Sequence, residues 1–209
     1  MTPNEFVERF KKEKASAILR TSDTDRARQA MLAAVRGGFR VVEFTMSIPN
    51  VTELIDEFSR MEGTVVGAGT VLTTDDVKSV VDAGAQFVVS PVVDVDVIKA
   101  SIDCEVACMP GCTTPTEMLT AYRAGAQLQK LFPQVGTGPQ WVKQCLGPLP
   151  FLKIVPTSGV TLENARSYFE AGAYAVGFVQ SLFLPDDIAS ENFDAIEIRA
   201  KKMLAEVQS

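Results

Sequence analysis

The 209-residue chain contains no histidine. That absence removes Ser-His-Asp and Cys-His chemistry, so any acid–base work falls to Glu, Asp, Lys, Tyr, Cys or bound water. Cysteine is scarce, at four residues. Cys104, Cys108, Cys112 and Cys145 in a chain without a secretory pattern read as reduced thiols rather than a disulfide framework. The four-residue steps from Cys104 to Cys112 invite a metal reading, but zinc sites want close Cys pairs or His partners, and no metal is expected. Apolar runs fall far short of the roughly 18 residues that would suggest a membrane span, and "MTPNEFVERFKKEKAS" reads as a charged amphipathic helix over about 3–14 rather than a signal peptide. No membrane partner is expected, and the cytoplasm is the expected location. No basic stripe runs along the chain, whose 20 Lys+Arg against 26 Asp+Glu give a net charge of −6, so nucleic acid is not expected either.

What the chain does have is 46% hydrophobic residues and a fourfold pattern. A small-Gly-small turn leads into an apolar run in "RGGFRVVEF" (36–44), "DAGAQFVVS" (82–90), "RAGAQLQKLF" (123–132) and "EAGAYAVGF" (170–178). Each turn follows a helix-period segment, so Gly37, Gly84, Gly125 and Gly172 read as helix C-caps before strands. Interleaved runs, "SAILR" (16–20), "TVVGAGT" (64–70), "EVACMPG" (105–111) and "FLKIVPTSG" (151–159), bring the strands to eight. Alternation every 20–25 residues argues for parallel βαβ units and a (β/α)8 TIM barrel spanning 1–209 as a single domain, with the extra N-terminal helix. A doubly wound open sheet is the runner-up, weakened because no G-x-G-x-x-G opens the first unit.

Two charges stand where the pattern asks for apolar groups. Glu43 lies among Val41, Val42, Phe44 and Met46 of the second strand, and Lys130 lies between Leu128 and Phe132 in the sixth. In an eight-stranded barrel those strands face each other, so inward side chains can approach near the axis. A structural ion pair or outward snorkelling is the plain alternative. Burial of an ammonium usually lowers its pKa, as an amine nucleophile requires. Lys153, near the start of strand 7, is expected at the inactive end. Strand 7 runs into Thr157, Ser158 and Gly159 before a helix capped by Thr161, and strand 8 runs into Gly177 and Ser181. In this fold such loops often hold phosphate, though Ser, Thr and Gly are also ordinary turn residues.

The motifs "GGFRVVEFTM", "VVGAGTVL", "AGAQFVVSP", "MPGCTTPTE", "QKLFP" and "PTSGV", over roughly residues 15–185, resemble the class I 2-keto-3-deoxy-6-phosphogluconate and 4-hydroxy-2-oxoglutarate aldolases. The resemblance implies a lyase that cleaves a 2-keto-4-hydroxy acid to pyruvate and an aldehyde, with no cofactor beyond the lysine itself and no metal. It implies that Lys130 forms the Schiff base and Glu43 moves protons. Thr70, Pro91 and Phe132 would line the keto-acid pocket, Thr157 would contact substrate, and Ser158, Gly159, Gly177 and Ser181 would hold a phosphate. It further implies a homotrimer, for which Phe183 and Leu184 are candidate exposed apolar residues.

Two departures stand out. The family commonly reads Glu-x-Thr-x-Arg after strand 2, whereas here Ser47 replaces the arginine, leaving Arg20 as the candidate carboxylate ligand. The usual Thr-Gly-Gly is Thr157-Ser158-Gly159, and a short Gly-Gly-Ser is replaced by "GFVQS", whose Phe178 and Ser158 would narrow or displace a phosphate site. Oxaloacetate decarboxylation, aldol chemistry on an unphosphorylated sugar acid, and a non-catalytic binding role are the alternatives.

Overall fold

The computed structural model describes residues 1–134 and 137–208. Helix α1 (Pro3–Glu13) begins at a capping box: Glu5 N–H donates to Thr2 Oγ1, and Thr2 N–H to Glu5 Oε2 at 2.8 Å. Its stripe of Phe6, Val7 and Phe10 is buried among residues of the barrel interior, including Val41, Val65, Phe87, Ala107 and Leu128. Phe6 stacks on Phe87 at 4.5 Å between ring centroids, and Tyr174 donates its hydroxyl to the Val7 carbonyl at 3.2 Å. The helix therefore plugs the end of the barrel at which the strands begin.

Eight parallel strands follow: β1 (Ala15–Leu19), β2 (Val41–Thr45), β3 (Val65–Gly69), β4 (Phe87–Ser90), β5 (Ala107–Cys112), β6 (Gln129–Leu131), β7 (Ile154–Pro156) and β8 (Val176–Phe178). Each pairs with its sequence neighbours from β1 to β7, and β8 pairs with β1, as the expected (β/α)8 barrel requires. Tyr174 N–H, just before β8, donates to the Ile154 carbonyl of β7 at 2.9 Å and draws the last seam together.

The connecting helices are α2 (Thr24–Arg36), α3 (Val51–Ser59), α4 (Thr74–Asp82), α5 (Val95–Asp103), α6 (Pro115–Arg123), α7 (Pro139–Leu146) and α8 (Ala165–Glu170). After the short α9 (Pro185–Ala189), α10 (Phe193–Gln208) packs between α8 and α2 as the last helix of the ring. It comes so close to Gly37 that a β-carbon there would overlap Ala200 Cβ.

Pleat alternation divides each strand between two cores. Along β2, Val41 belongs to the interior cluster with α1, while Val42 and Phe44 belong to the outer layer beneath the helices. Glu43 and Thr45 are in phase with Val41 and face the axis. On β6, Leu131 faces outward, whereas Lys130 is in phase with the interior Leu128.

Three expectations need correction. Gly37 caps α2 as expected, but the cap residues of α4, α6 and α8 are Ala83, Ala124 and Ala171, and the left-handed Gly84, Gly125 and Gly172 follow one place later, as Gly38 (φ 113°) follows Gly37. Thr161 does not cap α8: its N–H donates to Asn164 Oδ1 at 2.8 Å, a local turn that delays the helix until Asn164 is the cap residue. Phe183 is buried rather than exposed, because Phe183 N–H bonds to the Val179 carbonyl and folds the ring under the outer core, whereas Leu184 is exposed.

Candidate active site

Glu43 and Lys130 meet inside the barrel, with Lys130 Nζ 3.9 Å from Glu43 Oε1. Glu43 is 1% exposed and Lys130 8%. Neither carboxylate oxygen of Glu43 has a hydrogen-bond partner among the described residues. Burial pushes the Glu43 carboxyl above its ordinary value, against the pull of the Lys130 and Arg20 charges. Phe132 is half-buried, and its ring centroid lies 5.1 Å from Lys130 Nζ. Beside them, Thr157 is buried with its hydroxyl unpartnered. An amine, a carboxyl group and a hydroxyl, the last two without hydrogen-bond partners among the described residues, are thus buried in the barrel.

Arg20, the residue after β1, reaches over the mouth of the barrel. Its Nη2 donates to Thr70 Oγ1 at 2.8 Å and its Nη1 to Ser47 Oγ at 3.3 Å. Ser47 in turn shares a 2.8 Å hydrogen bond with Thr45. No carboxylate among the described residues lies within ion-pair distance of this guanidinium, which is held by neutral hydroxyls and keeps its charge available at the mouth. Thr70 is left-handed (φ 62°), a conformation costly for a β-branched residue and typical of positions fixed by a site.

The remaining expected residues are divided. Pro91 follows β4 at the mouth, where its carbonyl crosses so close to Gly111 that a β-carbon on Gly111 would overlap it. Ser158 and the exposed, left-handed Gly159 (φ 71°) follow β7 at the mouth. Gly177 does not join them: it is buried within β8, where a β-carbon would come 2.6 Å from Ile18 Cδ1 and 2.8 Å from Thr157 Cγ2. Ser181 does not present a free hydroxyl, because Oγ donates to the Val160 carbonyl at 2.6 Å. Lys153 precedes β7, with Nζ 6.0 Å from the ring centroid of Tyr174, close to α1 at the other end of the barrel. The cysteines are free, and no cluster of three or more His, Cys, Asp or Glu side chains that could hold a metal occurs among the described residues.

A family model described as KDPG and KHG aldolase matches residues 6–199. The chain belongs to the KDPG and KHG aldolase family. The 2-dehydro-3-deoxy-6-phosphogalactonate aldolase of Escherichia coli K12 is 33% identical over 172 residues, covering 80% of this chain and 83% of that protein. The native KDPGal structure superposes with a TM-score of 0.79 at 28% identity, covering 93% of this chain and 94% of that one. The 2-keto-3-deoxy-6-phosphogluconate aldolase of Zymomonas mobilis ZM4, solved with 3-phosphoglycerate, gives a TM-score of 0.82 at 27% identity, with 95% of each chain covered.

Within this aldolase fold, sequence reasoning missed Gly69. A β-carbon there would overlap Glu43 Oε1, so the carboxyl group occupies the space a side chain of residue 69 would fill. The signal was present in "VVGAGT", since glycine inside a strand marks close approach of another group. Gln134 was also missed. It reads as an ordinary polar loop residue, and only the juxtaposition of the loops after β6 and β7 reveals what it touches.

Proposed function

We propose that the protein is a Schiff-base aldolase that cleaves a 2-keto-4-hydroxy acid to pyruvate and an aldehyde, with Lys130 as nucleophile and Glu43 as acid–base. The observation that carries this reading is the buried Lys130–Glu43 pair at 3.9 Å, with the Arg20 guanidinium held by hydroxyls at the mouth and its charge felt by Glu43. The Lys130 amine adds to the C2 carbonyl, and Glu43 donates the proton with which the carbinolamine hydroxyl leaves as water, giving a protonated ketimine and a Glu43 carboxylate. Glu43 takes the C4 hydroxyl proton, the C3–C4 bond breaks, and its electron pair moves into the iminium to leave a pyruvate enamine as the aldehyde departs. Protonation of C3 and hydrolysis of the imine free pyruvate and the lysine. One carboxyl group serves each proton step, and burial raises its pKa above the ordinary carboxylate value.

Arg20, Ser47 and Thr70 are the binding groups for the keto-acid carboxylate. The guanidinium stands between two hydroxyls, so the charge that the family's usual arginine would supply from β2 comes from the end of β1. Thr157, Pro91 and Phe132 wall the reacting carbons. The related proteins act on phosphorylated sugar acids by name, and the 2-keto-3-deoxy-6-phospho acids and 4-hydroxy-2-oxoglutarate are the substrates to assay first.

Borohydride reduction in the presence of pyruvate, followed by peptide mass spectrometry, tests the reading: the adduct is expected on the Lys130 peptide, and its absence there would refute it. No helix is long and apolar enough among the described residues to cross a membrane. The family resemblance supports a cytoplasmic homotrimer, and the exposed Leu72 and Val92 on the loops after β3 and β4, with Val95 at the start of α5, supply apolar surface for subunit contact. Light scattering tests this assembly, with three times the chain mass expected.

A further inference from the structure

Across the mouth from Arg20, Gln134 lies over the loops after β6 and β7. A β-carbon on Gly159 would come 2.6 Å from Gln134 Oε1, and one on Gly138 (φ 57°) would come 2.8 Å from its Nε2. The carboxamide therefore bridges two glycines whose missing side chains make room for it. Tyr168, buried on α8, donates its hydroxyl to Gln134 Oε1 at 2.8 Å and fixes its position. Oε1 has a second lone pair, so it can accept one further hydrogen bond.

Residues 157–164 and 177–184 include no Lys or Arg, and the first segment carries Glu163. Two side-chain donors of these loops are turned inward: Ser181 Oγ bonds to the Val160 carbonyl at 2.6 Å and Asn164 Nδ2 to the Gly159 carbonyl at 2.8 Å. A terminal phosphate carries about −1.5 to −2 charge at pH 7 and is mainly an acceptor, whereas a terminal hydroxyl can donate. Oε1 held at Gly159 meets an acceptor oxygen unfavourably and bonds a donor, while the Nε2 donors lie on the other side, at Gly138, so the Gly159 side of the carboxamide favours the second.

We propose that Gln134 is a specificity-determining residue that selects 2-keto-4-hydroxy acids ending in a free hydroxyl and disfavours those ending in phosphate. The inference rests on the aldolase reading and departs from the phosphorylated substrates named for the relatives. Tyr168 is the positioning residue, acting through Gln134.

The test compares pyruvate release from a 2-keto-3-deoxy sugar acid with and without its 6-phosphate. The protein as it stands is expected to favour the free hydroxyl by about tenfold or more in kcat/KM. Gln134→Ala is expected to move that ratio about tenfold towards the phosphate ester, mainly through KM, and to bring on competition by inorganic phosphate. Tyr168→Phe keeps the buried ring and is expected to shift the ratio the same way by less; Gln134→Glu, which keeps an acceptor, is expected to retain the free-hydroxyl preference. If pyruvate is trapped on Lys130 yet the unaltered protein prefers the phosphate ester, or Gln134→Ala leaves the ratio unchanged, this inference alone is overturned. Absence of the pyruvate adduct would overturn the aldolase reading and this inference together.

Discussion

Lys130 Nζ and Glu43 Oε1 stand 3.9 Å apart on strands that face each other across the barrel, too far for a strong direct hydrogen bond and near enough to work on one substrate. The gap matters because Glu43 has no hydrogen-bond partner among the described residues. A buried pair of this kind contributes little to stability and marks a candidate site.

Replacing Glu43 by Gln separates the two halves of the chemistry. The variant is expected to retain a borohydride-trapped pyruvate adduct on Lys130 while turnover falls about 10²–10⁴-fold, the usual worth of a positioned acid–base. Mass spectrometry and steady-state pyruvate release read the two effects. Loss of neither would remove Glu43 from the mechanism.

The same variant carries a pH signature in stability. Burial raises the folded-state pKa of Glu43 above the reference value of 4.5, so the folded form binds this proton more tightly than the unfolded form. That contribution is fully present below pH 4.5 and is lost as pH rises through the raised folded value. Glu43→Gln has no carboxyl to ionise, so its melting temperature should exceed that of the parent at pH 7–8, with the gain shrinking towards pH 4.5. Thermal melts across that range check the trend.

Gly69→Ala tests the space in which the carboxyl rests. The added methyl overlaps Glu43 Oε1 and must displace it. A misplacement of about 1 Å can cost on the order of 100-fold, so kcat is expected to fall by about that factor while circular dichroism stays native. An unchanged kcat would show that Glu43 tolerates displacement.

Arg20→Ala removes the charge held between Ser47 and Thr70. A hydrogen bond to a charged group contributes about 1.5–3 kcal/mol, so kcat/KM should drop about 10–150-fold. Arg20→Lys should recover little of it, since a lysine cannot span both hydroxyls as a planar fork does. Kinetics with Ser47→Arg in the Arg20→Ala background provide the complement: partial recovery is expected if the charge rather than its strand of origin is what matters.

Cysteine labelling gives an activity-independent check on the barrel. Burial pushes the thiols of Cys108 and Cys112 up to about 12, and Cys145 is also buried. Iodoacetamide at pH 8 is expected to modify Cys104, which is half-exposed, and to spare the other three until the chain is unfolded. Peptide mass spectrometry reads the pattern.

Much of this was written along the chain. Repeated Gly turns before apolar runs specify where helices end and strands begin, because a left-handed residue is cheap only for glycine at Gly38, Gly84, Gly125 and Gly172. Period-two patterning put Glu43 and Lys130 inward once their neighbours were assigned to the core, and the missing histidine left few other groups to act as base. Local sequence cannot report side chains that meet across strands. Arg20 bonding to Ser47 and Thr70, Glu43 resting on Gly69, Ser181 spent on Val160, and Gln134 bridging Gly138 and Gly159 join residues from 4 to 50 positions apart. Closing the barrel brought the more distant of these together, because a parallel ring sets the ends of all its strands around one mouth, while the contents of that mouth depend on which side chains find space.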